Sequence, residues 1–151
     1  MAALVTLVVS MAIAPACSFI QPETGEPLAA CVDVDSDLAT PVSFAKDIRP
    51  IISGPGPRPC ALCHSATSGT HAGLDATGLN LETLDNLRKG GRETSANIVV
   101  AGKPCSSAII QKLRGTFGGA RMPKDGPYLT AAQTQLWIDW IAEGAKGAGN
   151  E

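Results

Sequence analysis

Cys60-Ala61-Leu62-Cys63-His64 is the feature that most constrains this chain: two cysteines three apart, with a histidine directly after the second. Thiols at that spacing can add across the two vinyl groups of a haem, and the imidazole that follows then becomes the proximal ligand of the iron. A chain holding a covalent haem has to build its core beside that group. The rival readings lack partners. A structural zinc site takes four Cys or His ligands, usually in two spaced pairs. Outside the cluster the chain has only Cys17, Cys31, Cys105 and His71, none paired with another at ligand spacing. A thioredoxin-like CxxC sits in a βαβ setting, and no strand–helix–strand alternation surrounds residues 50–75.

The occupant of the second axial position decides what a haem iron held by His64 can do. Met1 and Met11 fall in an N-terminal segment expected to be removed, which leaves Met122, in Arg121-Met122-Pro123-Lys124-Asp125-Gly126. Core-filling methionines usually sit on amphipathic helices, whereas Met122 lies in a polar turn fixed by Pro and Gly. It is therefore the expected distal ligand. His71, in Gly69-Thr70-His71-Ala72, is the competitor, and an open sixth site is the third reading. The expected metal set is thus His64 and Met122 on one haem c, anchored by Cys60 and Cys63.

The length of 151 residues has room for one domain. Hydrophobic content of 44% supports a core, while sixteen glycines and eleven prolines require much loop and turn. A net charge of −2 argues against nucleic acid as partner. The charge is uneven, since Glu23, Glu26, Asp33, Asp35 and Asp37 all precede the first basic residue, Lys46. An acidic leader thus precedes a mildly basic domain, and its plain reading is a solvated tether.

Ala2 to Ala14 is an apolar run too short to span a bilayer as a permanent helix, and it ends in the small-residue pattern Ala14-Pro15-Ala16 before Cys17. This resembles a bacterial lipoprotein signal, which implies that Cys17 becomes the lipidated first residue of the mature protein. Simple cleavage after Ala16 is the alternative. Either outcome makes the protein exported. With Cys17 lipidated and Cys60 and Cys63 on haem, Cys31 and Cys105 remain, and an even remainder in an oxidising compartment predicts a Cys31–Cys105 disulfide. Two unpaired thiols are the alternative.

The expected organisation is a signal over 1–16, an acidic Pro-containing linker over 17–41, a domain over 42–146 and a tail over 147–151. Ser43 caps a first helix bearing Phe44, Ile48, Ile51 and Ile52, which Pro50 shortens or kinks. Residues 53–59 form a stiff loop, and residues 65–79 a second. Asn80 is expected to cap a helix with Leu81, Leu84 and Leu87 on one side, stopped by Gly90-Gly91. Ile98-Val99-Val100 reads as an extended segment. Pro104 and Ser106 open a helix whose Ile109, Ile110 and Leu113 face inward before Gly115. In the last helix Thr130 and Gln133 match a capping box, Leu136, Trp137, Trp140 and Ile141 form a stripe, and Gly144 closes it. The expected fold is all-α, with about four short helices wrapped around one covalent haem. A haem that supplies part of the buried surface adds its binding to folding stability, so the haem-free chain is expected to be poorly folded.

Residues 42–146 resemble the class I cytochromes c, and most closely the small cytochrome c-like domains of exported bacterial proteins. The resemblance rests on Cys60-Ala61-Leu62-Cys63-His64, on the Met122-Pro123 turn before a Trp-containing last helix, and on the opening phrase Ser43-Phe44-Ala45-Lys46-Asp47-Ile48-Arg49-Pro50-Ile51. It implies that the first and last helices cross beside the haem, with Phe44 and Ile48 meeting Trp137, Trp140 or Ile141. It also implies haem attachment outside the cytoplasmic membrane. The function so implied is single-electron transfer between redox partner proteins, not an enzyme, with no small-molecule substrate and with membrane contact through the lipid anchor. Arg58, Arg121 and Lys124 flank the two motifs and are candidates for steering an acidic partner. The alternatives are an open-site haem sensor or peroxidase-like enzyme, and a haem-bearing accessory subunit of a larger oxidoreductase.

Overall fold

A computed structural model describes residues 30–56 and 58–150. Cys17 and the expected signal lie outside the described residues. Among these the chain is all-α, with five α-helices, one π-helical turn, three 3₁₀ turns and no strand. No helix of the described residues is long and apolar enough to cross a membrane.

Ordered helix begins at Ser43, whose hydroxyl accepts from the Lys46 amide while the Asp47 carboxylate accepts from the Ser43 amide. The chain then forms a π-helical turn over Phe44–Ile48 and passes directly into α1, Arg49–Ser53. Pro50 explains the change of pitch. It has no N–H to give to a carbonyl four residues back, and its ring crowds that carbonyl. The turn before it widens, so that Ile48 donates to the Ser43 carbonyl and Arg49 to that of Phe44. The expected kink therefore falls just before Pro50, which sits in the first turn of α1, where a missing N–H does no harm.

Two elements differ from the sequence expectation. The loop expected over 65–79 contains α2, Ala72–Thr77, closed by Gly78 in the left-handed region at φ 72°. Ala72, Leu74 and Ala76 favour helix there, and Gly78 is the signal that ends it. The next helix, α3, spans Leu84–Lys89 and is capped by Thr83, whose hydroxyl accepts from the Asn86 amide at 3.1 Å. Asn80 instead accepts from the Glu82 amide at 2.8 Å in a local turn. The helix does not start there because Thr83 is extended, at φ −135° and ψ 158°, while the Leu81 amide donates to the His64 carbonyl at 2.8 Å. Gly90 closes α3 as expected.

A 3₁₀ turn over Ser95–Ile98 leads into extended backbone at Val99. Pro104–Ser106 forms a further 3₁₀ turn before α4, Ala108–Arg114, which Gly115 ends at φ 75°. The longest helix, α5, spans Ala131–Ala142 and begins with the full capping box of Thr130 and Gln133.

The core sits between the opening turn and α5. Phe44 and Trp140 lie 5.2 Å apart between ring centroids, and Trp137 meets Trp140 edge-on at 5.7 Å. Ile48, Ile52, Leu84, Leu87, Ile110 and Ile141 close around them, all fully buried. Leu136 is only partly buried and Ile138 takes its place in the core. The reason is that α5 is covered on a further side by residues 30–41. Asp139, 6% exposed, accepts from the Ser36 amide at 2.9 Å and the Ser36 hydroxyl at 2.7 Å. Glu143 accepts from the Val42 amide, and Asp33 from the Cys105 amide at 2.7 Å. Cys31 and Cys105 are joined by a disulfide, S–S 2.06 Å.

Candidate functional site

The approach to the motif is a tight reversal. At the end of α1 the Gly54 amide donates to the Pro50 carbonyl, and a Cβ at Gly54 would stand 2.1 Å from that oxygen, so only glycine fits. The Gly/Pro loop leads into a 3₁₀ turn over Cys60–Leu62. The Cys60 carbonyl accepts from the amides of both Cys63, at 3.2 Å, and His64, at 3.0 Å. Residues three apart eclipse each other in such a turn, which brings Cys60 and Cys63 to one side with His64 next in line. Both cysteines are free thiols.

His64 is 9% exposed, and its Nδ1 lies 3.1 Å from the Leu79 carbonyl oxygen. A carbonyl only accepts, so Nδ1 carries the proton and Nε2 keeps a lone pair. Burial holds the imidazole below its usual pKa, opposed by the Leu79 hydrogen bond. The ring is therefore neutral, the form that ligates a metal.

The chain leaving His64 is stapled by Glu82. One carboxylate oxygen accepts from the Ser65 hydroxyl (2.7 Å), the Ala66 amide (3.0 Å), and both amide (2.7 Å) and hydroxyl (2.6 Å) of Thr67. The other accepts from the Asn80 side chain at 3.1 Å. These donors, the Thr67 and Ser65 hydroxyls first, lower the Glu82 pKa to about 2. The staple is therefore complete above about pH 4.5 and is lost as pH falls toward 2. Glu82→Gln should speed hydrogen exchange at the Ala66 and Thr67 amides at pH 6, relative to their intrinsic rates. Equal protection in both proteins at pH 6 would contradict the staple.

Met122 is half-buried in the loop after α4, with its amide donating to the Lys112 carbonyl at 3.0 Å. Arg121 anchors that loop, donating from Nε to the Leu113 carbonyl and stacking over Tyr128 at 4.0 Å. The structure brings the two motif loops together. Arg58, two residues before Cys60, donates to the Lys124 carbonyl at 3.0 Å and faces the Asp125 carboxylate at 3.9 Å. Cys60, Pro123 and Tyr128 wall one cavity of about 230 Å³. His71 lies elsewhere: at φ 58°, it heads α2 with Nδ1 on the Ser65 carbonyl at 2.6 Å, tied to the residue beside His64.

The donor chemistry fits a haem, with two thiols on one turn and a neutral imidazole whose Nε2 lone pair is left over. The cavity is lined by Cys60 but not by Cys63, His64 or Met122, and at about 230 Å³ it is smaller than the roughly 300–1,000 Å³ of sites for drug-sized molecules, so the loops must rearrange to take a macrocycle. Among the described residues, Trp137 has the one buried side-chain donor without a partner, its indole N–H. The rival chemistries fit less well. Burial pushes the Cys60 thiol up to about 11, whereas a redox-active CxxC needs a thiolate near neutral pH. No three His, Cys, Asp or Glu side chains gather as a metal-binding group among the described residues.

Residues 60–126 match the family model described as Planctomycete cytochrome C, less than half of the chain. The matched span begins on Cys60 and ends at Gly126, just past Met122. The match supports a cytochrome c-like family. No curated protein and no solved structure matches the chain.

Proposed function

We propose that this chain is a mono-haem c-type cytochrome of the class I kind that carries single electrons between redox proteins outside the cytoplasm. The observation that carries the reading is the meeting of the Cys60 loop and the Met122 loop at one cavity, within the span that matches a cytochrome family. When bound, the haem supplies a one-electron Fe(III)/Fe(II) couple. Cys60 and Cys63 would anchor it as thioethers, His64 would ligate through Nε2 while Leu79 holds Nδ1, and Met122 would supply a thioether ligand, which favours Fe(II) and raises the potential.

With both axial positions filled by the protein, no place is left for a substrate, so the protein is a carrier rather than an enzyme. Its partners are redox proteins, and Lys124 with Arg58 and Arg121 supplies positive charge around the Met122 loop. The Cys31–Cys105 disulfide favours an oxidising compartment, in keeping with export and with a lipid anchor at Cys17.

The test is an optical spectrum of the oxidised and reduced protein, with carbon monoxide added to the reduced form. A haem c spectrum with a weak red Met–Fe(III) band and no carbon monoxide response is the expected result. Fast carbon monoxide uptake would move the assignment to an open-site sensor, and the absence of any covalent haem would overturn it.

A further inference from the structure

Gly73, in α2, faces the imidazole of His64 with the side chain it lacks. A Cβ placed on Gly73 would stand 2.6 Å from both Nε2 and Cε1 of that ring and 2.9 Å from Cδ2. A point along the Nε2 lone pair would be far closer to Nε2 than to either carbon. Near-equal distances put the Cβ position over the face of the ring rather than along the Nε2 lone pair. Neither side can withdraw. The Leu74 amide donates to the Cys63 carbonyl at 2.8 Å, tying α2 to the motif, and within α2 the Thr77 hydroxyl donates to the Gly73 carbonyl at 2.7 Å. The ring is held at Nδ1 by Leu79, and its backbone by the Cys60 carbonyl and the Leu81 amide. A glycine inside a helix lowers helix stability relative to alanine, so its presence here needs another reason, and the ring contact supplies one.

We propose that Gly73 is a positioning residue for His64: the absence of a side chain there leaves α2 close over the face of the imidazole and fixes the plane in which Nε2 presents its lone pair. The proposal rests on the haem reading for its consequence, since the plane of an axial imidazole sets its overlap with the iron orbitals. The contact itself does not depend on that reading. A side chain at this position must displace the ring against its Leu79 hydrogen bond or α2 against its Cys63 hydrogen bond.

The experiment compares the full chain, wild type, with Gly73→Ala and with Ala76→Gly, a substitution at an exposed position of the same helix. The readouts are the His64 ring resonances by NMR and, in haem-loaded ferric protein, the low-temperature EPR g-values. Gly73→Ala should shift the ring signals, speed exchange of the Nδ1 proton and move the g-values, whereas Ala76→Gly should leave all three in place. Unchanged ring signals in Gly73→Ala would overturn the proposal. Should Gly73→Ala fail to fold, His64→Ala in the same chain should restore folding to the level of His64→Ala alone, and failure of that rescue would also overturn it. Wild-type protein without haem would remove the functional assignment, while the NMR comparison would still decide the contact.

Discussion

Oxidised Met122→Ala protein should lack the weak red band, and its reduced form should bind carbon monoxide. Its reduction potential should fall by on the order of 0.1 V or more, within the roughly 0.8 V that axial ligands span. The argument starts from the loop. Its backbone is held by the Met122 amide on the Lys112 carbonyl, the Gly126 amide on the Pro123 carbonyl and Arg121 on Leu113 and Tyr128, none of which uses the Met122 side chain. Truncating the thioether should therefore open the axial position without collapsing the loop. Met122→His separates ligation from loop structure. It should keep carbon monoxide out while lowering the potential, because imidazole stabilises Fe(III) relative to a thioether. A Met122→Ala protein with the wild-type band and no carbon monoxide binding would show that another residue fills the position.

Local rules carried the parts of the fold where one residue type has one physical use. The Thr130–Gln133 capping box, the Gly90 and Gly115 stops and the Pro50 irregularity all read correctly from neighbours within four residues. The turn that sets Cys60 and Cys63 on one side, with His64 next, follows from the same kind of local spacing. Misreadings arose where a polar group had a distant partner. Asn80 looks like a helix cap in isolation, but the chain from Leu81 to Glu82 is drawn to His64, Ser65, Ala66 and Thr67, Thr83 is extended, and the helix begins only after it. Composition hid α2 altogether, because Gly73 and Thr77 in a Ser/Thr/Gly-rich stretch resemble loop. Only the ring of His64 explains the glycine.

The supports of the candidate site were the least legible part. Leu79 contributes a carbonyl, Gly73 the absence of a side chain and Glu82 an acceptor to backbone amides, and none of these leaves a motif. Leu79 and Glu82 become recognisable only once the loop after His64 has folded back on itself. The same holds for Asp139, whose place amid the apolar residues of α5 makes sense only when Ser36 arrives from more than a hundred residues away.

That long-range closure sets the second large effect. Replacing both Cys31 and Cys105 by serine should lower the unfolding free energy by about 4 kcal/mol, the loop-closure value for a bridge spanning 74 residues. The thermal midpoint should fall by on the order of 10 °C. Most of that effect acts on the unfolded chain, whose end-to-end freedom the bridge removes. The folded protein should therefore keep its tryptophan fluorescence, because Trp140 is held by Phe44 and by the edge-on ring of Trp137, neither of which depends on the bridge. Residues 30–41 should loosen more than the core, since Ser36–Asp139 and Asp33–Cys105 are then left to hold them alone. Adding a mild reductant to wild type should reproduce the double variant, and thioethers at Cys60 and Cys63 would not respond to it. A loss below about 1 kcal/mol, well under the usual 2–4 kcal/mol for a native bridge, would mean that the leader's hydrogen bonds already hold these ends together in the unfolded ensemble.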